Sequence, residues 1–161
     1  MTQLTSNTTT PSKSTVTVPV RELIGTALDW AVAVCEKLTI KDDPMGFMKD
    51  APDSCQAGFW VWGDNPKDKM LLIGGNYNPS NNWLLAGEII DREDISLEAP
   101  STCCEQWSAI MCDGDFKFYA DSAPAASMRT YVASIMGEEV EVPKRLLDLV
   151  ARIEAKKDIA A

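Results

Sequence analysis

Histidine is absent from this 161-residue sequence. Its absence removes the side chain that titrates near neutral pH and the commonest protein ligand of transition metals. A Ser-His-Asp or Cys-His nucleophile is therefore excluded. An enzyme built from this chain would depend on carboxylates, lysine or tyrosine. We therefore expect a protein that is not an enzyme, with no catalytic residue, no metal ligand and no cofactor.

Long apolar runs and an ordered cysteine pattern are also missing. No run approaches the roughly 20 apolar residues that a membrane-spanning helix needs, and the N-terminus lacks the apolar stretch of a signal peptide. The five cysteines are odd in number, irregularly spaced and without a Cys-x-x-Cys pair. This pattern predicts reduced thiols rather than disulfides or a zinc site. Together these features predict a cytoplasmic protein without a membrane partner.

Acidic residues outnumber basic residues, 24 to 15, giving a formal net charge of −9. An acidic surface repels phosphate backbones, so we expect no DNA binding. Solubility is the simplest interpretation of this charge. DNA mimicry is the alternative, and it would need the acids gathered on one face. They are instead scattered along the chain.

The hydrophobic pattern predicts a disordered tail over residues 1–14 and a single α+β domain over residues 15–161. We expect an antiparallel β meander of roughly four to six strands, packed with an N-terminal helix and two C-terminal helices. A short strand is predicted over residues 15–18. The meander is predicted to contain strands over residues 59–62, 70–73, 107–112 and 116–120, with short strand pieces at residues 89–90 and 95–97. The predicted helices are residues 24–38, a short helix capped by Ser80 and ended by Gly87, one capped by Asp121 or Ser122 and ended by Gly137, and one beginning at Pro143.

Three local predictions accompany this outline. Residues 41–57 carry turn signals and are expected to form a surface loop, and residues 138–142 are expected to be an acidic connection. On the first helix, periodicity places Asp29, Glu36 and Lys37 on the side opposite its apolar face. On the helix before Gly137, the predicted apolar face consists of Ala125, Met128, Val132 and Ile135.

The segment of residues 76–83 is the candidate ligand site. Its aromatic rings could stack on a base, and the start of a helix at Ser80 offers N–H groups to a phosphate. Arginines elsewhere could supply bidentate charge. The candidate binding residues are Tyr77, Pro79, Ser80, Trp83, Arg92 and Arg129. The alternative is a structural corner in which the rings pack and both arginines form ion pairs.

Several ordered segments resemble the NinX-like family of small phage proteins. They are Ala27-Leu28-Asp29-Trp30-Ala31-Val32-Ala33, then Pro79-Ser80 with Trp83, Gly87, Arg92-Glu93 and Ile95-Ser96-Leu97, and finally Ala126-Ser127-Met128-Arg129 with Gly137 and Val142-Pro143. The chain departs from the family pattern at Glu88 and at residues 121–124. The resemblance implies a phage accessory protein made in the host bacterial cytoplasm, and it assigns no chemistry.

Three functions remain open from the sequence. The leading one combines the resemblance to small phage proteins, which often counter host defence, with the missing histidine and the candidate ligand site. It is counter-defence by binding and sequestering a small nucleotide-type immune signal without cleaving it. The alternative is a protein-binding inhibitor or adaptor that uses the acidic surface or an exposed Trp60 and Trp62. A hydrolase using Asp91 or Glu93 is the third. The apolar stripe of the last helix is also compatible with homo-oligomers.

Overall fold

A computed structural model describes residues 14–63, 65, 67–111 and 116–160 of the chain. The strands in these ranges are β1 Thr15–Pro19, β2 Ile40–Asp42, β3 Phe59–Val61, β4 Leu71–Leu72, β5 Ile95–Glu98, β6 Trp107–Met111, β7 Lys117–Ala120 and β8 Glu139–Pro143. The α-helices are α1 Gly25–Cys35, α2 Phe47–Asp50, α3 Trp83–Arg92, α4 Ala123–Met136 and α5 Lys144–Ala160, with 3-10 turns at Val20–Glu22 and Cys55–Ala57.

The strands form three antiparallel sheets, which confirms the predicted α+β class. β2–β3–β4 and β5–β6–β7 are each a three-stranded meander, and β1 pairs with β8 to form a two-stranded ribbon. The ribbon brings the beginning of the domain to its penultimate element. In the described ranges the strands number eight rather than four to six, partly because residues 138–142 were wrongly predicted as a connection. There Val140 and Val142 are buried while Glu139 and Glu141 are exposed, the alternation typical of a half-buried strand.

Helices α1 and α4 lie at the centre of the hydrophobic core. α4 packs against β6, β7 and α1, and α1 also contacts α5. The core side chains that are fully enclosed include Leu23, Leu28, Met128, Val132 and Leu146. The side chain of Ser122 accepts the Ala125 N–H at the start of α4, so Ser122 is the cap of the two that the sequence offered.

The sequence prediction was wrong over residues 80–90, where one helix replaces a short helix and a strand. Asn82, not Ser80, caps α3, because its side-chain oxygen accepts the Leu84 N–H at 2.9 Å. The helix continues through Gly87, since Ala86 and Ile89 are buried on one face one turn apart. It ends before Asp94, whose φ of 52° leaves the helical region.

Residues 41–57, predicted as a loop, also contain regular structure. They include part of β2, the short helix α2 and a 3-10 turn. Both carboxylate oxygens of Asp43 accept backbone N–H groups, from Phe47 and Met48 at 2.9 Å each, and so hold the start of α2. The predicted N-terminal tail and the Asp113-Gly114 turn lie outside the described residues, apart from Ser14.

Two glycines allow a matched test of the backbone. Gly74 has a φ of +85°, and a Cβ added there would lie 2.3 Å from Thr26 Oγ1. We expect Gly74→Ala to lower the free energy of unfolding by about 2 kcal/mol. Gly87 lies within α3 with open space around it, so Gly87→Ala should raise that free energy by up to about 1 kcal/mol. Urea denaturation of both variants measures the two changes in free energy of unfolding. Equal changes would contradict the positive φ at Gly74 or the helical position of Gly87.

Candidate functional site

The segment of residues 76–83 forms a packed corner over most of its length. Tyr77 is buried, and its backbone N–H donates to Leu72 O at 3.0 Å while its carbonyl accepts the Gly74 N–H at 2.8 Å. Pro79 is fully buried. The Ser80 N–H donates to Asp29 Oδ1 at 2.8 Å. These contacts agree with the structural-corner alternative for Tyr77 and Pro79.

Asp29 is a buried carboxyl group that the sequence pattern placed on the wrong side of α1. Only 2% of the residue is exposed. Burial raises its pKa to about 7, against the lowering effect of its hydrogen bonds with Ser80. Asp29 and Ser80 line a small cavity of ≈ 250 Å³. Helical period alone could not find this residue, because its partner lies 51 positions later in the sequence.

Arg92 is engaged by carboxylates at the junction of α1, α3 and α4. Its Nη2 and Nη1 donate to the two Glu36 oxygens at 2.5 and 3.2 Å, and its Nε donates to Glu93 Oε1 at 2.8 Å. The Tyr131 hydroxyl donates to the same Glu36 carboxylate at 2.5 Å. Although burial raises the pKa of Glu36, the hydrogen bonds from Arg92 and Tyr131 lower it below its usual value. Arg92 therefore ties three helices together.

We expect Glu36→Gln to lower stability at pH 7 by about 1 kcal/mol, because it weakens three charge-assisted hydrogen bonds, two from Arg92 and one from Tyr131, at a partly screened site. A lowered pKa means that this contribution is present above pH 4.5 and lost as the pH falls through the folded pKa. The two proteins should therefore converge in acid. Glu93→Gln is the matched control and should cost less than about 0.5 kcal/mol. Thermal unfolding between pH 3 and 7 measures the stability of both variants. Equal losses for Glu36→Gln and Glu93→Gln would show that Glu36 does not contribute more than Glu93.

Trp83 and the tryptophans of β3 have different surroundings. Trp83 is 56% exposed at the start of α3, and the next residue, Leu84, is 77% exposed. Trp60 donates its ring N–H to Gln56 O at 3.0 Å. The Lys41 ammonium lies 4.4 Å from the Trp62 ring centroid. Of these three tryptophans Trp83 is the exposed one, whereas Trp60 and Trp62 are partly buried.

Arg129 is held by two backbone carbonyls. Its Nε donates to Leu23 O at 3.0 Å and its Nη1 donates to Tyr119 O at 2.5 Å. No carboxylate forms an ion pair with it in the ranges that the structure describes. Burial lowers the pKa of the guanidinium, and the charge of Asp121 acts in the opposite direction. The group is therefore a fixed, partly desolvated cation.

Arg129 lines a cleft of ≈ 430 Å³ that we call the Arg129 cleft. It runs beside β7, an edge strand that pairs only with β6 in the described part of the chain. Its described lining includes three basic residues, three aromatic residues, one amide and one carboxylate: Arg21, Lys117, Arg129, Phe116, Phe118, Tyr119, Gln106 and Glu138. Of the six predicted binding residues, Arg129 alone lines this cleft. The structure does not assemble all six into one pocket.

Three further features bear on the function classes. The Glu93 carboxylate accepts from Arg92, while Asp91 is exposed. Within the described residues, no group of three or more His, Cys, Asp or Glu side chains is arranged to hold a metal ion. No helix in those ranges combines the length and apolar character needed to cross a membrane.

The sequence of the chain matches a known protein family. A family model described as Bacteriophage P22, NinX matches residues 19–135, which is more than half of the chain. The chain belongs to this NinX family. The NinX match contains α1, α3, the β5–β6–β7 sheet and nearly all of α4, and so includes Arg21, Lys117 and Arg129. It ends before β8 and α5. No curated protein matches the chain.

Proposed function

We propose that the protein binds and sequesters a small nucleotide-type anion in the Arg129 cleft, without cleaving it. The observation that supports this is a partly buried guanidinium with no ion-pair partner among the described residues. A desolvated charge is costly unless it is compensated. A phosphate entering the cleft would supply the missing anion, and the two carbonyl bonds would hold the guanidinium in place for it.

Two more cations stand at the same cleft. The Arg21 side chain is exposed and forms no hydrogen bond or ion pair with any described residue. Lys117 donates to Glu98 Oε2 at 2.7 Å, and its ammonium lies 5.7 Å from the Tyr119 ring centroid. An exposed pair of this kind is worth little, so Lys117 can be recruited by a phosphate at small cost.

We expect aromatic side chains of the same cleft to stack on the base of the nucleotide. Phe116, Phe118 and Tyr119 line the cleft beside the cations, and stacking on such rings stabilises a base by about 1–3 kcal/mol. These rings take the role that the sequence assigned to Tyr77 and Trp83. Family membership supports a phage protein, and we place its action in the host bacterial cytoplasm, against a nucleotide immune signal.

The test is a ligand screen of the full chain against cyclic dinucleotides and ADP-ribose derivatives. Binding to the native state alone raises the melting temperature. For a ligand so identified, we expect Arg21→Glu to weaken binding about tenfold or more by calorimetry, since a charge-assisted contact becomes a repulsion. Lys49→Glu, on α2, makes the same charge change away from the cleft and should leave affinity unchanged.

Three results would count against the proposal. The first is no melting shift with any compound of the panel. The second is equal weakening by Arg21→Glu and Lys49→Glu, which would indicate general electrostatics. The third is a hydrolysed ligand, since sequestration predicts that denaturing the complex releases the intact compound.

A second candidate function rests on the exposed apolar start of α3. Trp83 and Leu84 are neighbouring large side chains that remain mostly exposed, and Trp is enriched where proteins bind one another. This favours the inhibitor or adaptor alternative at Trp83. A Trp83→Ala/Leu84→Ala variant should then lose a stoichiometric host protein from pull-downs of infected cells. Unchanged capture by the variant would contradict this interface.

A further inference from the structure

A second and larger cleft lies beside the last three turns of α5. Its volume is ≈ 780 Å³, within the range of small-molecule sites. One wall is the α5 face that carries Leu149, Arg152, Ile153 and Lys156. The opposite wall comes from Thr26, Gly58 and residues 53–55 and 72–75. We call this space the α5 cleft, and it is separate from the Arg129 cleft.

The α5 cleft stays open because its far wall has little side-chain volume. Leu146 is fully buried and fixes the start of α5, whereas Ile153, two turns later on the same face, remains 41% exposed. Gly58, Gly74 and Gly75 face it without side chains. A Cβ at Gly74 would meet Thr26 Oγ1 at 2.3 Å. The Thr26 side chain therefore packs directly against the Gly74 backbone.

The charges around the α5 cleft favour an anion. Among its described lining residues, Arg152, Lys156 and Lys157 are basic and Asp53 is acidic. Lys157 also donates to Glu154 Oε1 at 3.0 Å. Arg152 lies 3.3 Å from Asp53 with both side chains mostly exposed, so their pair contributes little. Lys156 forms no ion pair with any residue that the structure describes. A ligand carboxylate would find at least one uncommitted cation here.

The α5 cleft differs in chemistry from the Arg129 cleft. Its two walls carry aliphatic side chains, Leu72 and Ile73 on one and Leu149 and Ile153 on the other, and none of its described lining residues is aromatic. The N–H groups of Gly74 and Gly75 are already used, since Gly74 donates to Tyr77 O and Gly75 to Leu72 O. The described lining of the cleft therefore offers a base no aromatic ring, and Gly74 and Gly75 offer a phosphate no free N–H group.

We propose that the α5 cleft binds an amphipathic carboxylate. The acyl chain lies between the aliphatic side chains of the two walls, where each buried methylene contributes roughly 0.8 kcal/mol. The carboxylate lies at the rim between Arg152 and Lys156. This site goes beyond the proposed nucleotide function and uses none of its residues.

The test uses dodecanoate, titrated calorimetrically into the full chain below its micelle concentration. Ile153→Trp should fill the cleft and weaken binding about tenfold or more, a change equivalent to roughly 1.4 kcal/mol. The control, Ile135→Trp, places the same ring at an exposed site on α4 and should bind like the parent. Lys156→Glu should weaken dodecanoate binding and strengthen binding of dodecylammonium, which has the same tail and the opposite charge.

Several outcomes would overturn the proposal. Equal binding of dodecanoate and dodecylammonium by the parent protein would show that the rim does not select an anion. Unchanged binding by Ile153→Trp would place the ligand elsewhere. Sedimentation experiments could show a dimer that persists in dodecanoate and is lost in the Ile153→Trp variant. That result would show that a second copy of the chain fills the cleft. The Ile153→Trp and Lys156→Glu variants should still bind any nucleotide that binds at the Arg129 cleft. The two proposals can therefore fail independently of each other.

Discussion

Replacing Asp29 with asparagine is expected to stabilise the protein increasingly as the pH rises from 4 to 8. The Asp29 carboxyl is buried, and burial raises its pKa from the ordinary 3.8 to about 7 in the folded protein. Asparagine keeps an oxygen that can accept the Ser80 N–H, and it cannot ionise. The stability gap between variant and parent should grow by about 1.4 kcal/mol per pH unit, to on the order of 4 kcal/mol above neutrality.

The sign of this effect follows from proton binding by the two states. Below pH 3.8 the carboxyl is protonated in both the folded and the unfolded chain, so its ionisation does not affect the free energy of unfolding. Between that value and about pH 7 the unfolded chain loses the proton and the folded chain retains it. The parent therefore loses stability over this window. Glu36 acts in the opposite direction, since its pKa is lowered in the folded state.

Urea denaturation of the parent and Asp29→Asn at each pH from 4 to 8 measures the gap directly. Taking the difference cancels the contributions of Glu36 and the other carboxylates that both proteins share. Asp91→Asn is the matched control, because Asp91 is exposed at the end of α3; it should change stability by no more than about 0.5 kcal/mol. A pH-independent gap for Asp29→Asn would show that this carboxyl is not desolvated.

Long elements with a regular apolar period were predictable from the sequence. The prediction for α1 was close to its observed bounds, and the cap and terminal glycine of α4 were found from Ser122 and Gly137. α3 was misjudged at Gly87, which local rules treat as a helix end. Burial of Ile89 against the core outweighs that local preference. Tertiary contacts, which a local pattern does not contain, decide such cases.

The candidate site was less predictable because distant residues form it. Arg129 was found as an arginine beside an apolar helix face. The carbonyls that hold it belong to Leu23 and Tyr119, at separations of 106 and 10 residues. Arg21 reaches the same cleft from a 3-10 turn near the start of the chain. No spacing rule connects these positions. The ribbon of β1 with β8 and the packing of α4 bring them together.

The second large effect is expected at Met128, at the centre of α4. Its side chain is fully buried, and α4 packs against β6, β7 and α1 around it. Met128→Ala removes those packed atoms and leaves a cavity, at an expected cost of about 2–5 kcal/mol. Chemical denaturation measures the loss. A cost below about 1 kcal/mol would mean that the surrounding core collapses into the space.

Ile135 provides the matched control on the same helix. The sequence placed it with Met128 on one apolar face, but it is 53% exposed. Ile135→Ala should therefore cost less than about 1 kcal/mol, although it removes a similar volume. Burial along α4 follows the position of the helix in the core and not a single apolar face. Even the polar Thr130 is enclosed, and its hydroxyl donates to Ala109 O at 2.9 Å and Ala126 O at 3.0 Å. Ile135 lies in the last turn of α4 and is mostly exposed, so equal losses at Met128 and Ile135 would contradict this placement of α4.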